Sequence, residues 1–229
     1  LHRVDRRQRQ MCIRDRIQIK CFVFNMIEEN TYIVWDDSLE CVIIDCGAFY
    51  EEERQTIVNF INEKHLKPVH LLTTHAHLDH NFGINTINDT FGLLPEVSEK
   101  DAPALRSLKE QAQNMFGMQL NYDFPPVEHT FNAGEIIKFG HHELTVIECP
   151  GHTPGGVTFY CKDEKVAFTG DTLFRGSVGR TDFAGGSMFQ LISSLRELSQ
   201  LPDDTVLYPG HGEQTTMGYE LAHNPYMDR

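Results

Sequence analysis

THAHLDH, residues 74–80, is the stretch that decides the fold of this protein. It contains His75, His77, Asp79 and His80, and it follows residues 69–73, a short apolar run typical of a buried strand. Imidazole and carboxylate groups are ligands that zinc, iron and manganese take in proteins. Alternate side chains of an extended turn point to opposite sides, so the cluster can serve two adjacent metal ions. We therefore interpret it as a metal site rather than a polar turn held by hydrogen bonds.

Three further residues of ligand type follow strand-like runs later in the chain: His152 in CPGHTPGG (149–156), Asp171 in FTGD (168–171) and His211 in LYPGHG (207–212). A histidine beside glycine is by itself more often an ordinary loop residue than a ligand. Here, however, all three lie at strand ends in a chain that already contains the first cluster. The sequence therefore predicts that they complete one site.

Segments with the periodicity of strands and helices alternate in two blocks. The first block has predicted strands at 17–24, 31–35, 41–45 and 69–73, and helices at 51–64, 82–91 and 101–116. The second has predicted strands at 136–139, 142–148, 157–160, 165–169 and 205–208, and a helix at 188–198. Two β-rich halves covered by helices predict an α+β fold, a four-layer αββα sandwich. No low-complexity linker separates the halves, which predicts a single domain over residues 17–229.

Residues 1–16 differ from the rest of the chain, since they hold six of its 20 basic residues. The segment lacks the apolar stretch of a secretory signal, and it lacks the serine-rich, acid-poor character of a transit peptide. We therefore expect residues 1–16 to be a leader that is either not native to the fold or disordered.

The composition excludes several classes of partner. The net charge of −13 predicts an acidic surface that repels phosphate backbones, so we expect no nucleic-acid partner. No apolar run approaches the ~20 residues that cross a bilayer, so we expect no membrane association. The six cysteines form no CxxC pair and several lie in apolar runs, which predicts free thiols in a reducing cytoplasm. None of these features determines the oligomeric state.

Together these blocks resemble the metallo-β-lactamase superfamily, and most closely its short glyoxalase II-like (hydroxyacylglutathione hydrolase-like) branch. The resemblance covers residues 17–226 and implies the αββα sandwich of the metallo-β-lactamase type. It implies two divalent metal ions, with zinc preferred over iron or manganese. The implied ligands are His75, His77 and His152 for the first metal, Asp79, His80 and His211 for the second, and Asp171 as the bridge between them.

The same resemblance implies a metal-dependent hydrolase that cleaves a small acyl-thiol such as a hydroxyacylglutathione. A hydroxide held between the metals would attack the thioester carbonyl, with Asp79 and Asp171 as catalytic residues. The block DTLFRGSVGRTDF (171–183) is also similar to the family, and the position of Arg180 implies binding of a glutathione carboxylate. From the residues alone, Arg180 is equally suited to pair with Asp182.

Three other functions stay open for such a chain. The first is a persulfide dioxygenase with one iron at His75, His152 and Asp171, an enzyme that the block 179–183 also resembles. The second is a β-lactamase. The third is a non-catalytic binding module, against which the complete set of ligand residues argues, because a site without a metal has no physical need for them.

Overall fold

Residues 16–227 are described by the structure, a computed structural model. All but the last residue of the predicted leader lie outside this range, so the nature of residues 1–16 and the domain boundary behind them stay predictions.

Within the described residues, six strands form a first sheet in chain order: β1 (Gln18–Phe24), β2 (Glu29–Trp35), β3 (Glu40–Ile44), β4 (Lys67–Leu72), β5 (Pro95–Ser98) and β6 (His129–Phe131). The strands β1 to β3 are antiparallel, whereas β3 to β6 pair in parallel. The short strand β5 is not predicted from the sequence, because four residues are too few for a periodic pattern to stand out.

Six more of the described strands form a second sheet: β7 (Ile136–Phe139), β8 (His142–Glu148), β9 (Val157–Cys161), β10 (Val166–Gly170), β13 (Val206–Pro209) and β14 (Thr215–Thr216). Their spatial order is β14, β13, β10, β9, β8, β7, and β10 pairs with β13 in parallel. A small hairpin of β11 (Leu173–Phe174) and β12 (Ser177–Val178) lies between β10 and β13 along the chain.

The part of the chain that the structure describes has six α-helices: α1 (Glu51–Glu63), α2 (Ile84–Phe91), α3 (Ala102–Leu105), α4 (Leu108–Phe116), α5 (Met188–Leu198) and α6 (Met217–His223). The prediction of one helix over 101–116 is wrong, because α3 and α4 are separate. The backbone leaves the helical region between them, since Ser107 has φ −105° and ψ 20°. None of the described helices is long and apolar enough to span a bilayer.

Buried side chains separate the fold into four layers. Successive residues of a strand face opposite sides of its sheet. In β2, Ile33 belongs to the cluster that includes Ile57 of α1, whereas Val34 belongs to the cluster between the two sheets. In β10, Phe168 lies in that central cluster and Ala167 in a third one with α5. The predicted αββα sandwich is therefore confirmed.

His70 of β4 forms an ion pair at the edge of the central layer. Its Nδ1 donates to Oε1 of Glu96 (2.6 Å) and its Nε2 to the carbonyl of Lys138 (3.1 Å). Burial disfavours the protonated ring, but the hydrogen bond and charge of Glu96 outweigh burial and raise the pKa of His70 above its usual value.

We expect His70→Gln to lower the free energy of unfolding by about 1 kcal/mol at pH 6. A raised pKa in the folded state stabilises the protein below the unfolded pKa, so the difference should disappear as the pH rises through the folded pKa of His70. Urea unfolding from pH 5.5 to 9 measures this profile. The matched variant Glu96→Gln should show the same profile, and a pH-independent difference for His70→Gln would contradict the assignment.

Candidate metal centre

The predicted ligand residues all lie at one edge of the two sheets. They follow strands that end there: His75 and His77 come after β4, Asp79 and His80 form a 3₁₀ turn (Leu78–His80), and His152, Asp171 and His211 follow β8, β10 and β13. Three groups of these predicted ligands have ligand atoms within 4.8 Å of one another and could each hold a metal ion: His75 with His77 and His152, His75 with His80 and Asp171, and Asp79 with His80 and His211.

Asp171 lies between the first and the last of these groups. Its Oδ2 is 3.5 Å from Nε2 of His152 and 4.0 Å from Nε2 of His75. On the other side, its Oδ1 is 3.4 Å from Nε2 of His80, and its Oδ2 is 3.8 Å from Nε2 of His211. Ligands bonded tetrahedrally to zinc at ~2.1 Å lie about 3.4 Å apart, so the spacing fits shared ions.

The last of these groups, Asp79 with His80 and His211, has the same spacing. Oδ2 of Asp79 is 3.2 Å from Nε2 of His80 and 3.3 Å from Nε2 of His211. In the first group, Nδ1 of His77 is 2.9 Å from Nε2 of His152. His77 therefore presents its Nδ1 to the centre, whereas the other four histidines present Nε2.

Hydrogen bonds behind the centre hold those four histidines. Each donates through Nδ1 to an oxygen outside the ligand set, which leaves its Nε2 with a free lone pair. The acceptors are Oγ1 of Thr74 for His75 (3.1 Å), Oδ2 of Asp45 for His80 (2.9 Å), the carbonyl of Arg180 for His152 (2.7 Å) and the carbonyl of Ile27 for His211 (3.1 Å).

Several atoms of the centre are buried without a partner among the described residues. They include Nε2 of His75, Nε2 of His80 and Oδ1 of Asp171. An unpaired buried polar atom is costly, and metal ions would satisfy all three. Gly210 makes the close packing possible, because a Cβ there would lie 2.3 Å from Oδ1 of Asp171. The donor set and its unpaired atoms therefore fit divalent cations.

The electrostatics favour the metal-binding forms of four groups, His75, His77, Asp79 and Asp171. Burial and neighbouring histidines hold the pKa of His75 well below its usual value and lower that of His77 to about 4. Burial opposes ionisation of Asp79 and Asp171, but the charge of His80 outweighs it and lowers both pKa values. At His80 and His211 the neighbouring carboxylates outweigh burial and raise the pKa. These two rings therefore favour a positive charge beside the carboxylates, and a metal ion would supply that charge in place of the proton. Neutral imidazoles and ionised carboxylates are the forms that ligate metals.

Asp45 is a functional residue that the sequence pattern does not reveal. It directly follows β3, in the left-handed backbone region with φ 53°. Its Oδ1 accepts from the backbone N–H of Thr74 (2.7 Å), and its Oδ2 accepts from the Thr74 hydroxyl (2.7 Å) and from His80. The only sign of this role in the sequence is a carboxylate at the end of a strand parallel to β4. In the predicted strand 41–45, Asp45 is simply the last residue.

Arg180 has the local partner that the sequence left open. Its Nε and Nη2 donate to the two carboxylate oxygens of Asp182 at 2.9 and 2.7 Å. The guanidinium lies over the ring of Phe183, 4.4 Å from its centroid. The side chain is exposed at the rim of a cavity of about 250 Å³ that opens over the candidate metal centre. We call this cavity the main chamber.

Comparison with known proteins agrees with this geometry. A family model of the metallo-beta-lactamase superfamily matches residues 27–211, a range that includes every candidate ligand. The chain is 38% identical over 214 residues to the hydroxyacylglutathione hydrolase GloC of Haemophilus influenzae, which covers 93% of this chain and 99% of that protein.

Solved structures with the same fold include a metallo-beta-lactamase and a protein in a di-iron-bound form. The BLEG-1 B3 metallo-beta-lactamase matches with a TM-score of 0.85 and 30% identity, covering 93% of this chain and 100% of that one. TTHA1623 in a di-iron-bound form matches at 0.80 and 33%, over 91% of this chain and 100% of that one. ETHE1 from Myxococcus xanthus matches at 0.74 and 25%, over 91% and 83%.

Proposed function

The chain belongs to the metallo-beta-lactamase superfamily as a metallo-hydrolase, and we propose that it hydrolyses a small acyl-thiol in the manner of a glyoxalase II-like thioesterase. The observation that carries the proposal is the position of Asp171 between two groups of ligand atoms, at 3.4 to 4.0 Å from four histidines. A centre for a single ion would need only one of these groups together with Asp171. The presence of both groups therefore supports two ions.

The proposed ligand assignment follows the two groups. His75, His77 and His152 hold a first ion, Asp79, His80 and His211 hold a second, and Asp171 bridges them. Nitrogen and carboxylate ligands without cysteine suit zinc, iron and manganese alike. We propose zinc first, and the similarity to a protein solved in a di-iron-bound form supports iron as the alternative.

When bound, the ions would lower the pKa of water towards 7 and polarise a carbonyl, the chemistry that thioester hydrolysis needs. Asp79 and Asp171 hold their carboxylates ionised at the floor of the main chamber, where they would orient the attacking water as an acceptor of its hydrogen bond. Phe174 and Val178 line the main chamber and limit the access of bulk water to the reacting carbonyl.

The proposed substrate is a hydroxyacyl thioester of a thiol such as glutathione. The hydroxyacylglutathione hydrolase of Haemophilus influenzae supports it, because the similarity extends over 93% of this chain. We propose the cytoplasm as its location, since five of the described cysteines are free thiols.

Metal content and two activities test the proposal together. The purified protein should contain two divalent ions per chain and hydrolyse S-lactoylglutathione with kcat/KM of about 10⁴ M⁻¹s⁻¹ or more. The same preparation should not consume oxygen with glutathione persulfide. One iron per chain with oxygen-dependent persulfide turnover would overturn the thioesterase.

That outcome defines the second candidate, a mononuclear iron persulfide dioxygenase. Oδ2 of Asp171 lies near Nε2 of both His75 and His152, and two histidines with one carboxylate are the ligand set of many non-haem iron oxygenases. The structural similarity to ETHE1 supports this candidate.

Release of Arg180 from Asp182 should improve binding of an anionic thiol carrier. We expect Asp182→Asn to lower KM for S-lactoylglutathione by up to about fivefold with kcat unchanged, because exposed ion pairs contribute little and the freed guanidinium can bind a carboxylate. Arg180→Ala should raise KM instead. The control Arg175→Ala removes another exposed arginine, paired with Glu213, and should leave KM unchanged. Equal KM values for all variants would contradict carboxylate binding by Arg180.

A further inference from the structure

A second cavity of about 320 Å³ adjoins the main chamber. We call it the side chamber; it lies beside α3 and α4, and its wall includes Ala104, Ser107, Asn114, Thr153, Pro154 and Ala184. His77, Met115 and Phe183 line both chambers, so the two cavities meet beside the candidate metal centre. A thioester whose carbonyl lies at this centre has two arms, and each chamber can take one.

The two chambers differ in charge. Arg180 lines the main chamber, whereas no lysine or arginine of the described residues lines the side chamber. The one carboxylate of the side chamber, Asp101, is occupied by hydrogen bonds from the backbone N–H of Ala76 (3.0 Å), the hydroxyl of Thr153 (2.8 Å) and the backbone N–H of Gly155 (2.7 Å). The side chamber therefore has no cation for the carboxylates of a carrier such as glutathione.

We propose that the side chamber binds the acyl arm of the substrate and that the thiol carrier extends through the main chamber past Arg180. This inference rests on the proposed thioesterase function. The volume of about 320 Å³ is more than a lactoyl group fills. The wall residues Ala104, Met115 and Phe183 suit an aliphatic chain, so the enzyme should prefer acyl groups longer than lactoyl.

An acyl series on one carrier tests the assignment. With acetyl, butyryl and hexanoyl thioesters of glutathione, kcat/KM of the wild-type protein should rise about two- to fourfold for each added methylene. Ala104→Phe fills the side chamber and should abolish the rise. The control Arg106→Phe adds the same side chain at an exposed position that lines neither chamber and should keep the rise.

Two results with Ala104→Phe would contradict the assignment of the side chamber to the acyl arm. The same chain-length dependence in wild type and Ala104→Phe would overturn the proposal. A change of preference between thiol carriers in Ala104→Phe would place the carrier in the side chamber and also overturn it. If Ala104→Phe does not fold, Ala104→Leu, which fills less of the space, should reduce the rise without abolishing it.

Binding of product carboxylates separates this proposal from the thioesterase itself. The affinity for acetate, butyrate and hexanoate, measured by calorimetry on the metal-loaded protein, should increase with chain length and lose that increase in Ala104→Phe. If no thioester is hydrolysed but this pattern holds, the side chamber is confirmed and the proposed function fails. If thioesters are hydrolysed but neither kcat/KM nor carboxylate affinity depends on chain length, the proposed function holds and the side-chamber proposal fails.

A second inference rests on the turn between β1 and β2. The buried side chain of Asn25 donates to the carbonyls of Asp79 and Gly47, each at 3.0 Å, and accepts from the backbone N–H of Ile27 (3.1 Å). The carbonyl of Ile27 in turn accepts from Nδ1 of His211 (3.1 Å). One amide group therefore connects the backbone of Asp79 with the turn that orients His211.

We infer that Asn25 is a positioning residue for the second proposed ion. It contacts the supports of Asp79 and His211, two ligands of that group, and has no hydrogen bond to His75, His77 or His152. Loss of the amide should therefore weaken the second ion and spare the first.

Metal titration of Asn25→Gly tests this inference without measuring turnover. Asn25 has φ 56°, which glycine adopts without strain, so the variant removes the amide alone. The dissociation constant of the second ion should rise about 10- to 100-fold, with the first unchanged. Leu39→Gly, a control at φ 67° in the turn between β2 and β3, should keep both affinities. Three results would overturn the inference about Asn25. They are unchanged affinities in Asn25→Gly, equal weakening of both ions, and a wild-type protein that binds one ion only.

Discussion

Asp171→Asn is expected to reduce kcat/KM for thioester hydrolysis by at least about 1,000-fold and to lower the number of bound ions per chain. The amide has nearly the shape of the carboxylate but no negative charge to share between two cations. Stabilisation by the metal centre contributes several kcal/mol to such a transition state, and each 1.36 kcal/mol is a factor of ten in rate. Asp171 lies within 4.0 Å of four of the histidines, so both groups of ligands lose a member.

Steady-state kinetics and elemental analysis of the same preparation measure both effects. Asp204→Asn is the matched control, because it makes the same change in an exposed pair with Lys165, and neither residue belongs to the candidate ligand set. It should retain wild-type activity and metal content. If Asp171→Asn keeps two ions and loses only activity, the carboxylate acts on the substrate rather than as a bridge.

Asp45→Asn should have the second-largest effect, although Asp45 is not itself a proposed ligand. The carbonyl oxygen of asparagine can still accept from the backbone N–H of Thr74. In that orientation the NH₂ group of the asparagine faces Nδ1 of His80. Two donors cannot share a hydrogen bond, so His80 would move its proton to Nε2. The lone pair that faces the centre would be lost, and we expect the affinity of the second ion to fall by about 100-fold.

Metal titration at neutral pH measures this loss, and thioester hydrolysis should fall in parallel when metal is limiting. Excess metal should restore part of the activity of Asp45→Asn but not of Asp171→Asn, because only the latter lacks a bridging group. The control Asp89→Asn, on an exposed face of α2, should behave as the wild type. Tight binding of both ions by Asp45→Asn would show that the tautomer of His80 does not depend on Asp45.

The helices illustrate where sequence patterns fail. The apolar periodicity of residues 101–116 continues across Ser107, and nothing in it marks the non-helical backbone angles of Ser107 that separate α3 from α4. Residues 51–64 raise no such problem, and α1 occupies Glu51–Glu63. Periodicity reports which side of an element is buried, but a change of backbone angles at one residue can interrupt the element without changing that pattern.

The supporting residues of the site could not be predicted for a related reason. Asp45 looks like the last residue of a strand, and Arg180 offers a guanidinium whose partner the sequence leaves open. Their roles depend on which atoms meet after folding: the Asp45 carboxylate reaches His80, and the Arg180 carbonyl, not its side chain, accepts from His152. A backbone carbonyl has no residue type, so no sequence motif can reveal it as a partner.

By itself, the sequence determined the chemical types of the candidate ligands, their positions at strand ends and the layered fold, because these depend on alternation and spacing over a few residues. Only the tertiary structure decided which ligands share a group, which nitrogen each histidine presents, and that Arg180 is paired with Asp182. It also created the side chamber next to the centre. These features depend on distances between residues far apart in the chain, and the packing of the two sheets against each other sets those distances.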